Sequence, residues 1–275
     1  MDAQNVTPMM QQYLSAKQAH PNELLFFRLG DFYEMFFEDA KVAAKELGLT
    51  LTSRSGDLDK SPMCGVPYHA ADSYIARLVA KGFKVAIAEQ IGDPKAKGLT
   101  HREVVKVVTP GTTLSDDLLR DAANNYIALL HEKEDGTFVL VGADISTGES
   151  FYASYAGENA AQQMLDELYR RMAAELLMTE GFSLADDVRA FAVQRLPHCA
   201  IGAVAPQTDD ELLVQHFPAA EIPTDAGTRT AVATLLRYLH DTVMADLSQL
   251  NHLSFLDAAD TMQLDTYTLR NLEIT

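Results

Sequence analysis

The sequence has few cysteines and no long apolar run, and both absences limit what the chain can be. Its two cysteines, Cys64 and Cys199, lie 135 positions apart. They are too few for a disulfide framework or a Cys-rich zinc site, although they do not exclude a single bridge. No apolar run approaches the roughly 20 residues of a bilayer span, and the N-terminus has no secretory signal. We therefore expect no membrane segment and a cytoplasmic location.

Motifs for nucleotide and metal chemistry are also missing. Neither G-x-x-x-x-G-K-[ST] nor G-x-G-x-x-G occurs in the sequence, so no phosphate-cradling loop is visible. The nearest metal signature, Cys64 with His69, supplies two ligands where zinc needs three or four. The sequence therefore predicts no catalytic site, no metal site and no cofactor in this chain.

One enzymatic alternative, a metal-dependent nuclease, depends on two carboxylates. Asp144 lies on a predicted strand and Glu149 follows a predicted hairpin, and such strand ends carry the ligands of phosphodiester-cleaving metals. Two-metal chemistry needs several convergent carboxylates, and the next predicted strand, 174–179, has one only near its start, Glu175, and none further along. A nuclease would lose its activity in Asp144→Ala.

Acidic residues are unevenly distributed along the chain. The net charge is −17 over 275 residues, 47% of which are hydrophobic. Residues 1–113 hold 13 Lys and Arg against 13 Asp and Glu, whereas residues 114–275 hold 9 against 26. Only the first part could lie against a polyanion, and the acidic second part is typical of a solvated face.

Apolar periodicity predicts a small mixed sheet with flanking helices over residues 1–113. Thr7 and Pro8 are typical of a helix start, and Gly48 and Gly82 of helix ends. The spacing predicts a strand ending at Gly30, a helix beginning at Asp31, a helix over 71–82, and strands over 83–91 and 102–109.

The rest of the chain predicts a second mixed α/β domain. Residues 114–125 are expected to be a linker. Three strands follow, with a hairpin at 146–148, and then helix, strand and helix patterns complete a mixed sheet over 126–248. Residues 249–275 are expected to begin a further domain.

The aromatic-rich stretch 24–40 raises one ambiguity. Phe32 lies four residues before Phe36 on an apolar stripe, which is typical of a core position. In a helix that begins at Asp31, however, Phe32 would lie in the first turn and could project beyond the helix end. Glu34 lies off the stripe. The pattern alone leaves both interpretations open.

Six motifs in order resemble those of one family. The chain is similar to the N-terminal portion of the bacterial MutS family of DNA mismatch-repair proteins. The resemblance covers the whole chain, and in 126–245 it depends on strand order and acidic character. It is carried by "TPMMQQYL", "GDFYEMF", "MCGVPYHA", "AEQIGDP", "VVTPGT" and "RNLEIT".

The resemblance implies a DNA-reading site. The Phe-x-Glu motif of the family falls on Phe32, which would be a wedge inserted from the minor groove at a mispaired base, and on Glu34, which would hydrogen-bond that base. Arg54, Met63 and Arg102 match positions near DNA in the family. The alternative for the two arginines is a solvated basic side chain, and the alternative for Met63 is a core position. Apart from the resemblance, the basic side chains of Lys95 and Lys97 are expected to supply unspecific phosphate contacts.

The resemblance also implies what surrounds this chain. Residues 1–113 would be the mismatch-recognition domain, 126–248 a ribonuclease H-like connector without nuclease activity, and 249–275 the start of the core domain. ATP and Mg²⁺ would bind an ATPase domain outside this chain. Expected partners are mismatched duplex DNA, a second subunit in a homodimer and a downstream repair protein of the MutL type, in a nucleoid-associated cytoplasmic setting. The alternative is a protein-interaction module with little DNA binding of its own.

Overall fold

The chain divides into two compact units, Met1–Leu118 with Thr242–Met244, and Leu119–Asp241 with Ala245–Thr275. A computed structural model describes residues 7–53, 61–92, 100–112, 125–196 and 199–257. Each unit contains a six-stranded sheet with parallel and antiparallel pairs, which confirms the predicted class of two mixed α/β domains. The predicted domain boundaries stay predictions. Among the described residues, no helix is both long and apolar enough to cross a membrane.

The first unit is a mixed sheet with helices on both faces. Its strand order is β3-β4-β2-β1-β5-β6, and β1 and β5 are parallel while the other neighbours are antiparallel. Its elements are α1 (Pro8–Ala19), β1 (Leu24–Leu29), β2 (Phe32–Phe36), α2 (Phe37–Leu47), β3 (Thr52–Ser53), β4 (Pro62–Pro67), a 3₁₀ turn (Tyr68–Ala70), α3 (Ala71–Val79), β5 (Val85–Ile91) and β6 (His101–Val108).

The predicted start of the first helix is confirmed. Thr7 is the N-cap of α1, Pro8 is its first residue, and the Thr7 hydroxyl accepts a hydrogen bond from the backbone N–H of Met10 at 3.4 Å. The capping oxygen satisfies one of the backbone donors that a helix start leaves without an intrahelical partner. Gly48 ends α2 in the left-handed conformation, at φ 72°, also as predicted.

The predicted helix from Asp31 is wrong, because residues 32–36 form strand β2. Gly30, at φ 60°, and Asp31 make a tight turn, and β2 returns antiparallel to β1. Positions 32 and 36 lie on one face in a helix and also in a strand of period two, so their spacing does not distinguish the two. Aromatic residues fit a half-buried sheet well, and the tertiary pairing decides the outcome.

Two core clusters lie on opposite faces of this sheet. Helices α2 and α3 cover one face, where Tyr33 and Met35 of β2 are buried. Helix α1 covers part of the other face, where Tyr13 packs against Phe27 and Phe36. Since α1 is only 12 residues long, it leaves the Phe32 end of that face exposed.

A buried carboxylate joins α1, α2 and β1. Asp39 is 6% exposed. It accepts hydrogen bonds from the backbone N–H of Leu25 at 3.0 Å and from the hydroxyl of Tyr13 at 3.4 Å, and its other oxygen lies 2.9 Å from Nζ of Lys17. Burial, followed by the charge of Asp39, raises the pKa of Tyr13. The cluster fixes the helix and sheet layers of the first unit.

The second unit also has helices against a mixed sheet. The strand order is β11-β10-β7-β8-β9-β12, with antiparallel pairs between β7, β8 and β9 and parallel pairs elsewhere. Its elements are β7 (Ile127–Glu132), β8 (Phe138–Asp144), β9 (Glu149–Tyr155), α4 (Ala160–Arg171), β10 (Glu175–Thr179), α5 (Ala185–Arg195), β11 (Ala200–Val204), α6 (Asp210–His216), α7 (Ala226–Val243) and β12 (Ser254–Phe255). The ribonuclease H-like assignment of this unit stays a prediction.

A histidine pair joins α6 to α7. Nε2 of His216 lies 2.8 Å from Nε2 of His240, and Nδ1 of His216 lies 2.9 Å from the carbonyl oxygen of Leu250. Since a carbonyl only accepts, His216 donates through Nδ1, and its Nε2 accepts from His240 in the neutral pair. Burial, followed by the charges of His216 and Arg237, lowers the pKa of His240, against the opposing effect of Asp241 and Asp209.

This pair predicts acid destabilisation of the second unit. A histidine with a lower pKa in the folded state loses its proton on folding, so its contribution to stability is complete above its ordinary value of 6.5 and declines as the pH falls below it. As the pH is lowered below 6.5, we expect the melting temperature of the wild type to fall by a few degrees. The fall should be smaller in His240→Gln, which lacks the titrating imidazole. Thermal melts across the pH range measure it, with exposed His101→Gln as control. Equal pH profiles for wild type and His240→Gln would contradict the prediction.

Candidate nucleic-acid interface

Strand β2 presents Phe32 and Glu34 on the same face of the first sheet. Side chains alternate along a strand, so Phe32, Glu34 and Phe36 share the face that α1 partly covers. Phe36 is buried at 2% exposure beneath α1, Glu34 is half-buried, and Phe32 is 47% exposed. Of the two interpretations of Phe32, the exposed one agrees with the structure.

The strand that bears the exposed Phe32 ring is hydrogen-bonded to a neighbouring strand on each side. Phe32 lies opposite Leu29 of β1 and opposite Pro67 of β4. The β1–β2 turn is tied to β4 as well, because the backbone N–H of Tyr68 donates to the carbonyl of Asp31 at 2.9 Å. Phe32 is therefore presented by a central hairpin of the sheet, and little backbone ordering is needed to display it.

Glu34 lies between an aromatic ring and a glycine. Its partner across β1 is Phe27, and its partner across β4 is Gly65. A Cβ atom at position 65 would stand 3.2 Å from the carbonyl oxygen of Tyr33 and 3.5 Å from Cγ of Glu34. Gly65 therefore allows β4 to lie close to the backbone between Tyr33 and Glu34, and only the structure reveals this role.

Arg102 lies on β6 and reaches across the same face. Its guanidinium carbon is 5.4 Å from the centre of the Phe27 ring, and its Nε donates to the carbonyl oxygen of Arg28 at 2.6 Å. A second N–H donates to the carbonyl oxygen of Thr100 at 3.0 Å. Burial lowers the pKa of Arg102. The structure thus brings Arg102 and Glu34 to opposite sides of Phe27.

Among the described residues, the structure does not bring the other predicted DNA contact, Met63, next to Phe32 and Glu34. Met63 shares the face of Phe32, but it lies opposite Phe36 at the far end of the β2–β4 pair, four residues and about 13 Å along the strand. It is half-buried and packs against the cluster beneath α1. Arg54, Lys95 and Lys97 lie outside the described residues.

An ion pair between Arg28 and Glu89, on the sheet face opposite to Phe32 and Glu34, was not predicted from the sequence. The hydroxyl of Tyr33 donates to the carboxylate of Glu89, which also lies 3.8 Å from Arg28. Burial, followed by the bond to Glu89, raises the pKa of Tyr33 to about 12. The residue between Phe32 and Glu34 is thereby anchored in its neutral form on the other face of the sheet.

The residues of the metal and nuclease alternatives have structural partners. The thiol of Cys64 is buried and donates to the carbonyl of Ala40, and burial raises its pKa to about 11. Asp144 is fully buried and accepts from the backbone N–H groups of Asn125, which precedes β7, and of Ser146 in the β8–β9 turn. Glu149 accepts from the hydroxyl of Tyr126. Within the described ranges, no three His, Cys, Asp or Glu residues could hold a metal ion.

The fold and this surface define a two-unit mixed α/β protein with an exposed aromatic ring and a carboxylate on one sheet face. Residues 7–117 match the family model described as MutS domain I. Three similar proteins, each named DNA mismatch repair protein MutS, come from Desulforamulus reducens (42% identity, 98% of this chain, 32% of the relative), Brevibacillus brevis (44%, 98%, 30%) and Caldicellulosiruptor bescii (41%, 99%, 31%).

These matches confirm the resemblance that the motifs predicted. The chain belongs to the MutS family. It spans about a third of the length of the curated relatives it matches.

Proposed function

We propose that the first unit recognises mispaired or unpaired bases in duplex DNA, as the reading part of a mismatch-repair protein. The observation that carries the proposal is the exposed Phe32 ring, held at the end of a central hairpin with Glu34 on the same face. A large apolar ring in water is unfavourable unless it has a partner, and a nucleobase offers a flat one.

Phe32 would act as a wedge from the minor groove. An aromatic face stacks on any base, at about 1–3 kcal/mol per base. Opening a base step costs a few kcal/mol, and less where pairing is already damaged. The same ring therefore binds better at a mispair than in intact duplex. Recognition then depends on how easily the duplex opens at that step and not on the identity of the base.

Glu34 would supply discrimination more than affinity. A carboxylate near phosphates is repelled, which penalises binding to intact duplex. At an opened mispair the carboxylate can accept a hydrogen bond from an N–H of the displaced base. Glu34 is half-buried and lies on the same face of β2 as Phe32, two residues away. Its carboxylate is therefore placed to contact the same base as the Phe32 ring.

Substitution of Gly65 tests this alignment. In Gly65→Ala the new methyl crowds the Tyr33 carbonyl oxygen at 3.2 Å, so the peptide that leads into Glu34 must shift, and it touches Cγ of Glu34 at 3.5 Å. We expect a loss of stability below about 1 kcal/mol and a roughly threefold loss of mismatch preference, because the carboxylate moves while Phe32 stays. Urea unfolding and duplex titrations measure the two effects. An unchanged preference would indicate that the position of Glu34 is not critical.

The other predicted DNA contacts complete the proposal. Arg102 would hold the β1 end and contribute charge near DNA, and Arg54, Lys95 and Lys97 would contact phosphates, which position a protein without reading sequence. Met63 would contact DNA only at the far end of the same face. These contacts raise affinity for all duplexes, so binding should weaken as salt increases.

The proposal extends to the second unit and to the longer protein in which this chain would act. The second unit would be a connector that binds a downstream protein of the MutL type, in a longer protein that forms a homodimer on mismatched DNA in the nucleoid-containing cytoplasm. The sequence has no phosphate-binding loop. ATP and Mg²⁺ are therefore proposed only for an ATPase domain outside this chain, and recognition by Phe32 and Glu34 would involve neither.

One observation favours a second candidate function. The acid excess of the chain falls in residues 114–275, with 26 Asp and Glu against 9 Lys and Arg. An acidic unit repels DNA and attracts basic protein surfaces. The chain could therefore act as a protein-interaction module with little DNA binding, and its partner binding would weaken with salt and ignore Phe32→Ala.

The test is fluorescence-anisotropy titration of the chain with a G·T-mismatched duplex and a matched duplex at low salt. The proposal predicts tighter binding of the mismatched duplex, with modest affinity overall, because a single module lacks the avidity of two linked subunits. Equal binding of both duplexes, or no binding, would favour the protein-interaction function.

A further inference from the structure

Two exposed aromatic rings lie at the same end of the first sheet. Phe32 is 47% exposed and Tyr68, directly after β4, is 45% exposed. Phe32 pairs with Pro67, the neighbour of Tyr68, and the backbone N–H of Tyr68 donates to Asp31, the neighbour of Phe32. The two rings are thus linked through adjacent backbone positions, and a ligand of several nucleotides at Phe32 would reach Tyr68.

Tyr68 is held from the side of the sheet opposite to Phe32. The guanidinium carbon of Arg28 lies 3.8 Å from the centre of the Tyr68 ring and 5.4 Å from that of Tyr33, whose ring packs under α2 and α3. Stacking on Arg28 therefore covers one part of the Tyr68 ring. The phenol would meet a ligand with its other ring surface and its hydroxyl.

Arg28 is itself fixed by two further contacts. Its Nε donates to the carbonyl oxygen of Gly30, and a terminal nitrogen lies 3.8 Å from the carboxylate of Glu89. Its side chain is only 17% exposed. The planar guanidinium is thus oriented in advance, and a cation stacked on an aromatic ring also makes its surroundings favourable for an anion.

We propose that Tyr68, oriented by Arg28, is a second DNA contact of this unit and binds the sugar-phosphate backbone beside the base that Phe32 contacts. The proposal rests on the proposed function. The hydroxyl of a tyrosine donates to phosphate oxygens, and such contacts fix a protein on the duplex without reading sequence. Tyr68 therefore contributes to affinity for any duplex, and Arg28 is a positioning residue that acts through Tyr68.

Two substitutions of Tyr68 separate its ring from its hydroxyl. We expect Tyr68→Ala to weaken binding about tenfold and Tyr68→Phe about threefold, by the same factor for the mismatched and the matched duplex. The preference between the two duplexes is unchanged, in contrast to Phe32→Ala. The matched control is Tyr74→Ala, because Tyr74 on α3 also has an arginine near its ring, Arg77 at 6.0 Å, and it should leave binding unchanged.

The positioning role of Arg28 is tested by coupling. Arg28→Lys keeps the charge and loses the planar stack, so it should weaken matched-duplex binding by no more than Tyr68→Ala does. Added to Tyr68→Ala, it should produce no further loss of that affinity. A purely structural role would give losses that add in the double variant.

The absence of tryptophan allows a direct readout. The sequence contains no Trp, so Tyr68→Trp places a single reporter at the proposed contact and Tyr74→Trp places one on α3 as control. We expect duplex DNA to change the emission of the reporter at position 68 and not of that at position 74. No change at position 68, at duplex concentrations where anisotropy shows binding, would overturn the proposal.

Failure of this inference can be told from failure of the proposed function. If Phe32→Ala removes mismatch preference while both Tyr68 variants bind as wild type does, only the Tyr68 contact is overturned. If wild type prefers neither duplex but Tyr68→Ala weakens both, Tyr68 binds DNA and mismatch reading is overturned. If the chain binds no duplex, both proposals fail.

Discussion

Replacing Phe32 by alanine is expected to remove the preference for mismatched duplex. The ring would contribute about 1–3 kcal/mol of stacking at an opened base pair, so its loss should reduce the ratio of the two affinities by about fivefold to a hundredfold. Binding to matched DNA should change little, because the wedge is not inserted there. Anisotropy titrations of both duplexes with wild type and Phe32→Ala measure the ratio.

Two other phenylalanines serve as controls for this result. Phe36 lies on the same strand and face but is buried at 2% exposure, so Phe36→Ala should cost about 3–5 kcal/mol of unfolding free energy. Phe255 is exposed in the second unit, where its ring centre lies 5.2 Å from that of Tyr152, so Phe255→Ala should leave DNA binding unchanged and cost far less stability than Phe36→Ala. If Phe32→Ala cost as much stability as Phe36→Ala, the ring would be part of the core and the wedge would be contradicted.

Asp39→Ala is expected to cause a large loss of stability in the first unit. It would remove the acceptor of the Leu25 N–H and the Tyr13 hydroxyl, and would leave the ammonium of Lys17 without its carboxylate. Breaking a buried, hydrogen-bonded ion pair from one side costs about 3–5 kcal/mol. Urea or thermal unfolding of the first unit measures the loss.

An exposed carboxylate provides the matched control for Asp39. Asp186 on α5 pairs with Arg189 at 2.9 Å and is fully exposed, so Asp186→Ala should leave the unfolding free energy almost unchanged, because solvent screens the pair. A double variant, Lys17→Met with Asp39→Ala, should recover part of the loss, because no charge then stays without a partner. Similar losses in Asp39→Ala and Asp186→Ala would contradict the role given to the Asp39 cluster.

The sequence predicted the fold class and most elements of the first unit, and it failed where one spacing fits two structures. Thr7, Pro8 and Gly48 carry local backbone chemistry, which is why the helix ends they predict are confirmed. Phe32 and Phe36 lie on one face in a helix and in a strand, and only pairing with β1 and β4 decides between them.

In the second unit, the elements missed from sequence have weak patterns. Helix α5 buries only Val188 and Ala192, so no clear apolar stripe marks it. Strand β11 has five residues, including a glycine, and depends on its pairing with β10. Helix α6 did have a local signal, because Asp209 caps it by accepting from the N–H of Leu212.

The candidate site was predicted only in part. The resemblance identified Phe32 and Glu34 by residue type, but the exposure of Phe32 depends on how far α1 extends over the sheet. The Arg28 contact with Tyr68 joins residues 40 positions apart through the β1–β2–β4 arrangement. Such a contact follows from topology, which a local pattern does not contain.

The most direct test of the central claim is base unstacking by Phe32. A duplex carrying 2-aminopurine beside a G·T mispair fluoresces more strongly when its stack is opened. At equal bound fraction, set by anisotropy, wild type should raise the fluorescence and Phe32→Ala should not, since no wedge enters the stack. An equal rise with both proteins, or no rise with bound wild type, would contradict recognition through Phe32.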